Sequence, residues 1–153
     1  MSISAPKGRK IMALDIGSKT IGIALSDRTH TIASPHSTIA RGKWQKDLES
    51  LKSVIRAEEV GMILLGLPLN MDGTEGPSCQ AVRQFARNLQ KDSELTDFPI
   101  DFWDERLSTS AVERAMIAQD LSRSKRDAKI DAAAAAYILE GFLNRLRNQH
   151  SNP

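Results

Sequence analysis

The chain has 153 residues, 41% of them hydrophobic and 26% charged, with a formal net charge of +2 at pH 7. This suits one globular domain with a real core and excludes a polycation, so any nucleic-acid contact must come from local patches. The single cysteine, Cys79, excludes an internal disulfide and a Cys-rich zinc site, and no apolar run reaches the roughly 18 residues of a membrane helix.

Residues 1–10, MSISAPKGRK, lack the apolar core of a secretory signal. They read as a loose basic arm carrying Lys7, Arg9 and Lys10, ahead of a single domain over 11–147 and a short tail over 148–153. A reducing cytoplasm is the expected compartment.

The stretch IMALDIGSKTIGIALSD, residues 11–27, reads as two short strands joined by a tight turn at Gly17. Side chains alternate along a strand, so Ile11, Ala13 and Asp15 share one face and Met12, Leu14 and Ile16 the other. A strand apolar on both faces belongs at the centre of a covered sheet. Yet one face ends in the carboxylate of Asp15, which is costly to bury without a cation, a donor or water. A turn-capping Asp would satisfy the same residue locally. On the return strand Ile21, Ile23 and Leu25 share one face. Gly22, Ala24 and Ser26 form a small-residue face that lets another element approach.

A third strand, irregular near Pro35, is expected over residues 31–40. The period then changes to that of a helix, with Trp44, Leu48, Leu51, Val54 and Ile55 at three- and four-residue spacing. Lys46, Asp47, Glu49 and Lys52 lie between them. Gly61 is expected to end this helix before a short buried strand, MILLGL, at 62–67. The polar loop PLNMDGTEGP over 68–77 follows, then a helix with Ala81, Val82, Phe85, Ala86 and Leu89 inward and Arg83 and Arg87 in solvent. After a linker comes the strand PIDFW at 99–103.

That strand runs straight into Asp104, Glu105 and Arg106. Ser108 and Thr109 offer a helix N-cap, with Val112, Ala115 and Met116 as the stripe of the next helix. Acids there also complement a helix N-terminus. The run SRSKRDAK at 122–129 packs Arg123, Lys125, Arg126 and Lys129 ahead of a last helix at roughly 127–146. On that helix Asp131, Ala135, Ile138 and Phe142 share a face. Asp131 again serves equally as a first-turn acid.

Asp15 on the first strand, Glu105 after the last and Asp131 on the final helix can converge at one edge of a mixed sheet. Three such carboxylates are not expected to stay ionised together without cations. Hard oxygen donors without His or Cys suit Mg²⁺ or Mn²⁺, and a pair of such ions supports phosphodiester hydrolysis. The basic run would hold phosphate nearby.

At four stretches the chain resembles the YqgF (RuvX) family of the ribonuclease H-like superfamily: DIGSKTIGIALSD, LGLPLNMDGTEGP, DERLST at 104–109 and KIDAAAAAYIL at 129–139. The resemblance spans nearly the whole chain. It implies an α/β ribonuclease H-like fold with a five-stranded mixed sheet flanked by helices, and Asp15, Glu105 and Asp131 as metal-binding acids. It also implies a metal-dependent nuclease that matures the 5′ end of pre-16S ribosomal RNA, or a Holliday junction resolvase acting on branched DNA.

On this reading Lys19, Asn70, Gly73, Arg106, Arg123, Lys125, Arg126 and Lys129 contact substrate, with Ser26 and Asp27 near the same edge. The expected partners are nucleic acid and the small-subunit precursor, without a membrane, for a monomer or homodimer. Two rivals of other kinds are a non-catalytic module that binds ribosomal RNA and a lobe of an actin-like ATPase.

Overall fold

The computed structural model describes residues 7–105 and 123–151. The expected helix after Thr109, and Arg106 with it, lie outside them.

Five strands form one mixed sheet in the order β3-β2-β1-β4-β5. They are β1 (Lys10–Ile16), β2 (Thr20–Ser26), β3 (Ala33–Ala40), β4 (Val60–Leu67) and β5 (Ile100–Asp104). β2 pairs antiparallel with both β1 and β3, whereas β1, β4 and β5 run parallel. Helices α1 (Trp44–Ala57) and α2 (Pro77–Gln90) connect the parallel strands, and α3 (Arg123–Ser151) closes the chain.

Alternation along the strands divides the core into two layers. Met12, Leu14, Ile21, Ile23, Ile63 and Leu65 pack with Leu48, Leu51 and Ile55 of α1 and Val82, Phe85 and Leu89 of α2. On the opposite face Ile11, Ala13, Ala24, Met62, Leu64 and Trp103 pack with Ala135, Ile138, Phe142 and Leu146 of α3. The second face is the one carrying small residues, and α3 answers with buried Ala132, Ala134, Ala135 and Ala136. Two flat, small surfaces let helix and sheet backbones come close.

Several boundaries depart from expectation for local reasons. The turn out of α1 is made by Glu59, which takes φ +53, and not by Gly61. Gly61 instead lies inside β4 where the pairing slips from Lys10↔Val60 to Ile11↔Met62, the extra residue of a bulge. The irregularity expected near Pro35 is present: Ile23 pairs with Ser37 and Ala24 with Pro35, so His36 is the extra residue.

Helix α3 starts at Arg123, four residues before the expected 127, so Arg123, Lys125 and Arg126 are helical and not a loop before the helix, and Lys129 is helical as expected. Their side chains lie outside the described part.

The polar side of α1 also differs from a plain solvated face. Asp47 and Lys52 are buried, at 3% and 7% exposure. Asp47 accepts the Gly42 N–H at 3.0 Å. Lys52 reaches across to the α2–β5 linker, 2.9 Å from Glu94 and 3.1 Å from Asp92. Hydrogen bonding to Glu94 first, and then to Asp92, raises the lysine's pKa despite its desolvation.

Candidate active site at the carboxyl ends of the parallel strands

β1, β4 and β5 point the same way, so Ile16, Leu67 and Asp104 end on one edge of the sheet. In open sheets with parallel strands this is where ligands bind. Asp15 stands one residue from the end of β1 on the α3 face, at only 9% exposure.

What flanks it follows from register. Asp15 pairs with Gly22 of β2. On the other side Leu14 pairs with Leu65, so continuing the parallel register sets Asp15 level with Gly66 of β4. A glycine therefore sits on each side of the acid, and each leaves room for another acid-bearing residue.

A Cβ on Gly22 would lie 1.9 Å from the backbone carbonyl oxygen of Asp131. The turn of α3 at Asp131 and Ala132 thus presses directly onto the β2 backbone, and the Asp131 carboxylate accepts a hydrogen bond from the Thr20 hydroxyl. Thr20, Gly22 and Ala24 share one strand face, so one edge of β2 both admits and holds Asp131. On the other side a Cβ on Gly66 would lie 2.6 Å from Oε1 of Glu105 and 2.5 Å from Cδ1 of Ile138. The Glu105 side chain therefore folds back over β4, against α3.

All three sequence-selected acids lie on the α3 face at the carboxyl edge, with Asp15 in the middle strand. Among the described residues, no group of three or more His, Cys, Asp or Glu side chains is placed so that it could hold a metal ion. The acids are neighbours around an edge. As donors they are of the kind that hard divalent cations take, carboxylate oxygens without nitrogen or sulfur.

The other expected contacts whose side chains are described fall into three groups. Lys19 is exposed in the turn just after Asp15. Asn70 and Gly73 lie beyond β4 on the same edge, in a loop that ties itself together. Asn70 N–H donates to the Thr74 carbonyl at 2.9 Å, Gly73 N–H donates to the Asn70 carbonyl at 2.9 Å, and Asn70 Nδ2 donates to Thr74 Oγ1 at 3.0 Å. Gly73 takes φ +90, a conformation open to glycine.

Arg83 anchors the loop from α2, and the expectation that it is simply solvated is corrected. It makes a two-pronged bond to Glu75, 2.7 Å on each arm, and stacks 5.0 Å from the Phe102 ring centroid. That bond holds the Glu75 carboxyl below its ordinary range. At the loop tip Met71 is 92% exposed.

Ser26 and Asp27 do not belong to this edge. β2 runs antiparallel to β1, so its last residues return to the start of β1: Ser26 pairs with Ala33 and its hydroxyl accepts the Ile11 N–H at 2.8 Å. Asp27 closes the 27–32 turn by accepting N–H groups of Thr31 at 2.7 Å and Ile32 at 3.0 Å.

Sequence reading missed Arg41. Its backbone N–H donates to the Lys19 carbonyl at 2.8 Å and its Nη1 to the Gly17 carbonyl at 2.7 Å, stitching the β3–α1 connection to the turn after Asp15. Pairing of Thr20 with Ala40 carried the only signal, and register cannot be read along the chain.

The family model described as "RuvX: Holliday junction resolvase" matches residues 9–145. The chain belongs to the RuvX family. Relatives within reach of it are close in sequence over almost their whole length. A protein of Rhodospirillum centenum named "Putative pre-16S rRNA nuclease" is 50% identical over 100% of this chain and 82% of its own. One of the same name from Jannaschia sp. is 52% identical over 95% of this chain and 91% of its own. In fold the chain is similar to the crystal structure of the yeast mitochondrial Holliday junction resolvase Ydc2, with a TM-score of 0.54 at 11% identity. That match covers 97% of this chain and 83% of the other. The family's α/β architecture is the one expected from the motifs, and among the described residues no helix is long and apolar enough to cross a membrane.

Proposed function

We propose that the protein is a metal-dependent nuclease of the cytoplasm that hydrolyses phosphodiester bonds in pre-16S ribosomal RNA, acting on the small-subunit precursor. One observation carries the catalytic reading: Asp15 lies between Gly22 and Gly66, the two positions where Asp131 and Glu105 lodge. A chain needing Asp15 only as a turn cap has no use for two glycines that bring further acids to its sides.

Asp15, Glu105 and Asp131 would hold Mg²⁺ or Mn²⁺, the donors being carboxylate oxygens alone. Bound there, such ions activate a water and stabilise the leaving oxygen of a phosphodiester. The chain's own residues supply the rest. Thr20 fixes the Asp131 carboxylate, so its orientation is set before substrate binds. Lys19, Arg106, Arg123, Lys125, Arg126 and Lys129 contact backbone phosphates, and the knotted loop with Asn70 and Gly73 borders the substrate path. The shared name of the relatives, at about half identity over nearly the full length, favours RNA.

The family's description favours a second reading, resolution of branched DNA. The two separate in one assay. Purified protein is given a pre-16S 5′ leader RNA or a four-way DNA junction, with Mg²⁺, with Mn²⁺ and with chelator. RNA cleavage that requires metal supports the proposal. Cleavage of the junction alone replaces it with the resolvase reading, and binding of RNA without cleavage replaces it with a non-catalytic module.

A further inference from the structure

Beside the acids, on the β2–β3 side, lies a set of basic residues of which the catalytic reading uses only Lys19. Between Arg28 and Lys46 the chain contains no acid, and the first one after it, Asp47, is turned inward at 3% exposure onto the Gly42 N–H. The bases of the same connection face the other way: Arg41, Lys43 and Lys46 are exposed, as is Lys19 in the adjoining turn. Arg41 binds the two segments together through the Lys19 and Gly17 carbonyls and lies 5.7 Å from the Phe85 ring centroid. Trp44 packs edge-on against the same ring at 5.3 Å. The connection is therefore anchored by Arg41 and Trp44, while its two lysines, and Lys19 in the adjoining turn, take no part in any ion pair among the described residues.

Position gives this patch a purpose. Thr20, which holds Asp131, pairs with Ala40. Lys19 precedes the first of these residues and Arg41 follows the second, so the patch begins one residue from the acid edge. Exposed lysine ends that make no ion pair among the described residues suit a flexible polyanion better than a small ligand, which needs fixed, desolvated donors.

We propose that Lys19, Lys43 and Lys46, arranged around Arg41, form a phosphate track that holds a single-stranded segment of the nucleic acid on the β2–β3 side of the acids. The track rests on the nuclease reading for its purpose but not for its test. Binding is measured by fluorescence anisotropy on the Asp15→Asn protein in chelator, with a labelled single-stranded RNA of about 16 nucleotides. The salt range runs from about 50 to 200 mM.

Replacing Lys19, Lys43 and Lys46 together by Gln is expected to weaken binding at least tenfold at low salt. The slope of log affinity against log salt should become shallower by about two, at roughly 0.7 per lost phosphate contact. Lys91→Gln, an exposed lysine after α2, should leave both nearly unchanged. Unchanged affinity and slope in the folded triple variant would overturn the track. So would a loss from Lys91→Gln as large as that from the three together. A protein without nuclease activity can still show the track, and an active nuclease can lack it, so the two readings fail separately.

Discussion

The backbone carbonyl of Asp131 lies so close to Gly22 that a Cβ there would come within 1.9 Å of the oxygen. Backbone cannot rotate away as a side chain can, so α3 must shift if Gly22 gains a methyl. Gly22→Ala is expected to cost about 1–3 kcal/mol of stability by overpacking, and about 100-fold or more in cleavage by displacing Asp131. Denaturant unfolding and single-turnover cleavage read the two effects, and a variant as active as wild type would show that Asp131 need not sit where α3 places it.

Gly66 makes the contrasting case. Its obstructing neighbours are side-chain ends, Oε1 of Glu105 and Cδ1 of Ile138, which can yield. Gly66→Ala should therefore lower stability by only about 1 kcal/mol while reducing cleavage strongly, because what yields is the catalytic candidate Glu105. Comparable losses of stability in the Gly22 and Gly66 variants would mean that Glu105 is not free to give way.

Thr20 tests whether Asp131 needs its donor. Thr20→Val keeps the shape and removes the hydroxyl, with an expected loss of about tenfold in cleavage and about 1 kcal/mol or less in stability. Thr20→Ser, which keeps the donor, should recover most of the activity. Equal activity of the Val and Ser variants would remove Thr20 from the site.

At the opposite end of the sheet, Asp27 predicts a pH effect unconnected with catalysis. The Ile32 N–H, the Thr29 hydroxyl and then the Thr31 N–H hold its carboxyl at about 2, below the ordinary 3.8. A folded-state pKa below the unfolded value stabilises the protein above the unfolded pKa, and the gain disappears as pH falls from about 4 toward 2. Asp27→Ala should lose about 1 kcal/mol at neutral pH, a figure already reduced for solvent screening, and the stabilities of wild type and variant should converge near pH 2. Cleavage at neutral pH should be unaffected.

Much of this arrangement is legible in the chain. Asp15 at the end of an apolar strand, the small face of Gly22 and Ala24, and the alanines after Asp131 together predict a helix lying close on the sheet, as α3 does. Properties set by partners far along the chain are not legible. Lys52 looks solvated by helical period, yet Asp92 and Glu94 close over it from forty residues away. Ser26 and Asp27 follow Asp15 closely in sequence, but the antiparallel return carries them to the other end of the sheet. Glu59 takes the turn conformation that a neighbouring glycine offers more cheaply, while that glycine is used in a bulge.

The most direct test of the central claim is cleavage of pre-16S leader RNA across a Mn²⁺ titration by wild type and by Asp15→Asn, Glu105→Gln and Asp131→Asn. If the three acids act as one metal-holding site, each variant should lose about 100-fold or more in the cleavage rate, or require far higher Mn²⁺, while remaining folded. Undiminished, metal-dependent cleavage by the Asp15→Asn protein would contradict the account, because Asp15 is the residue around which the other two are placed.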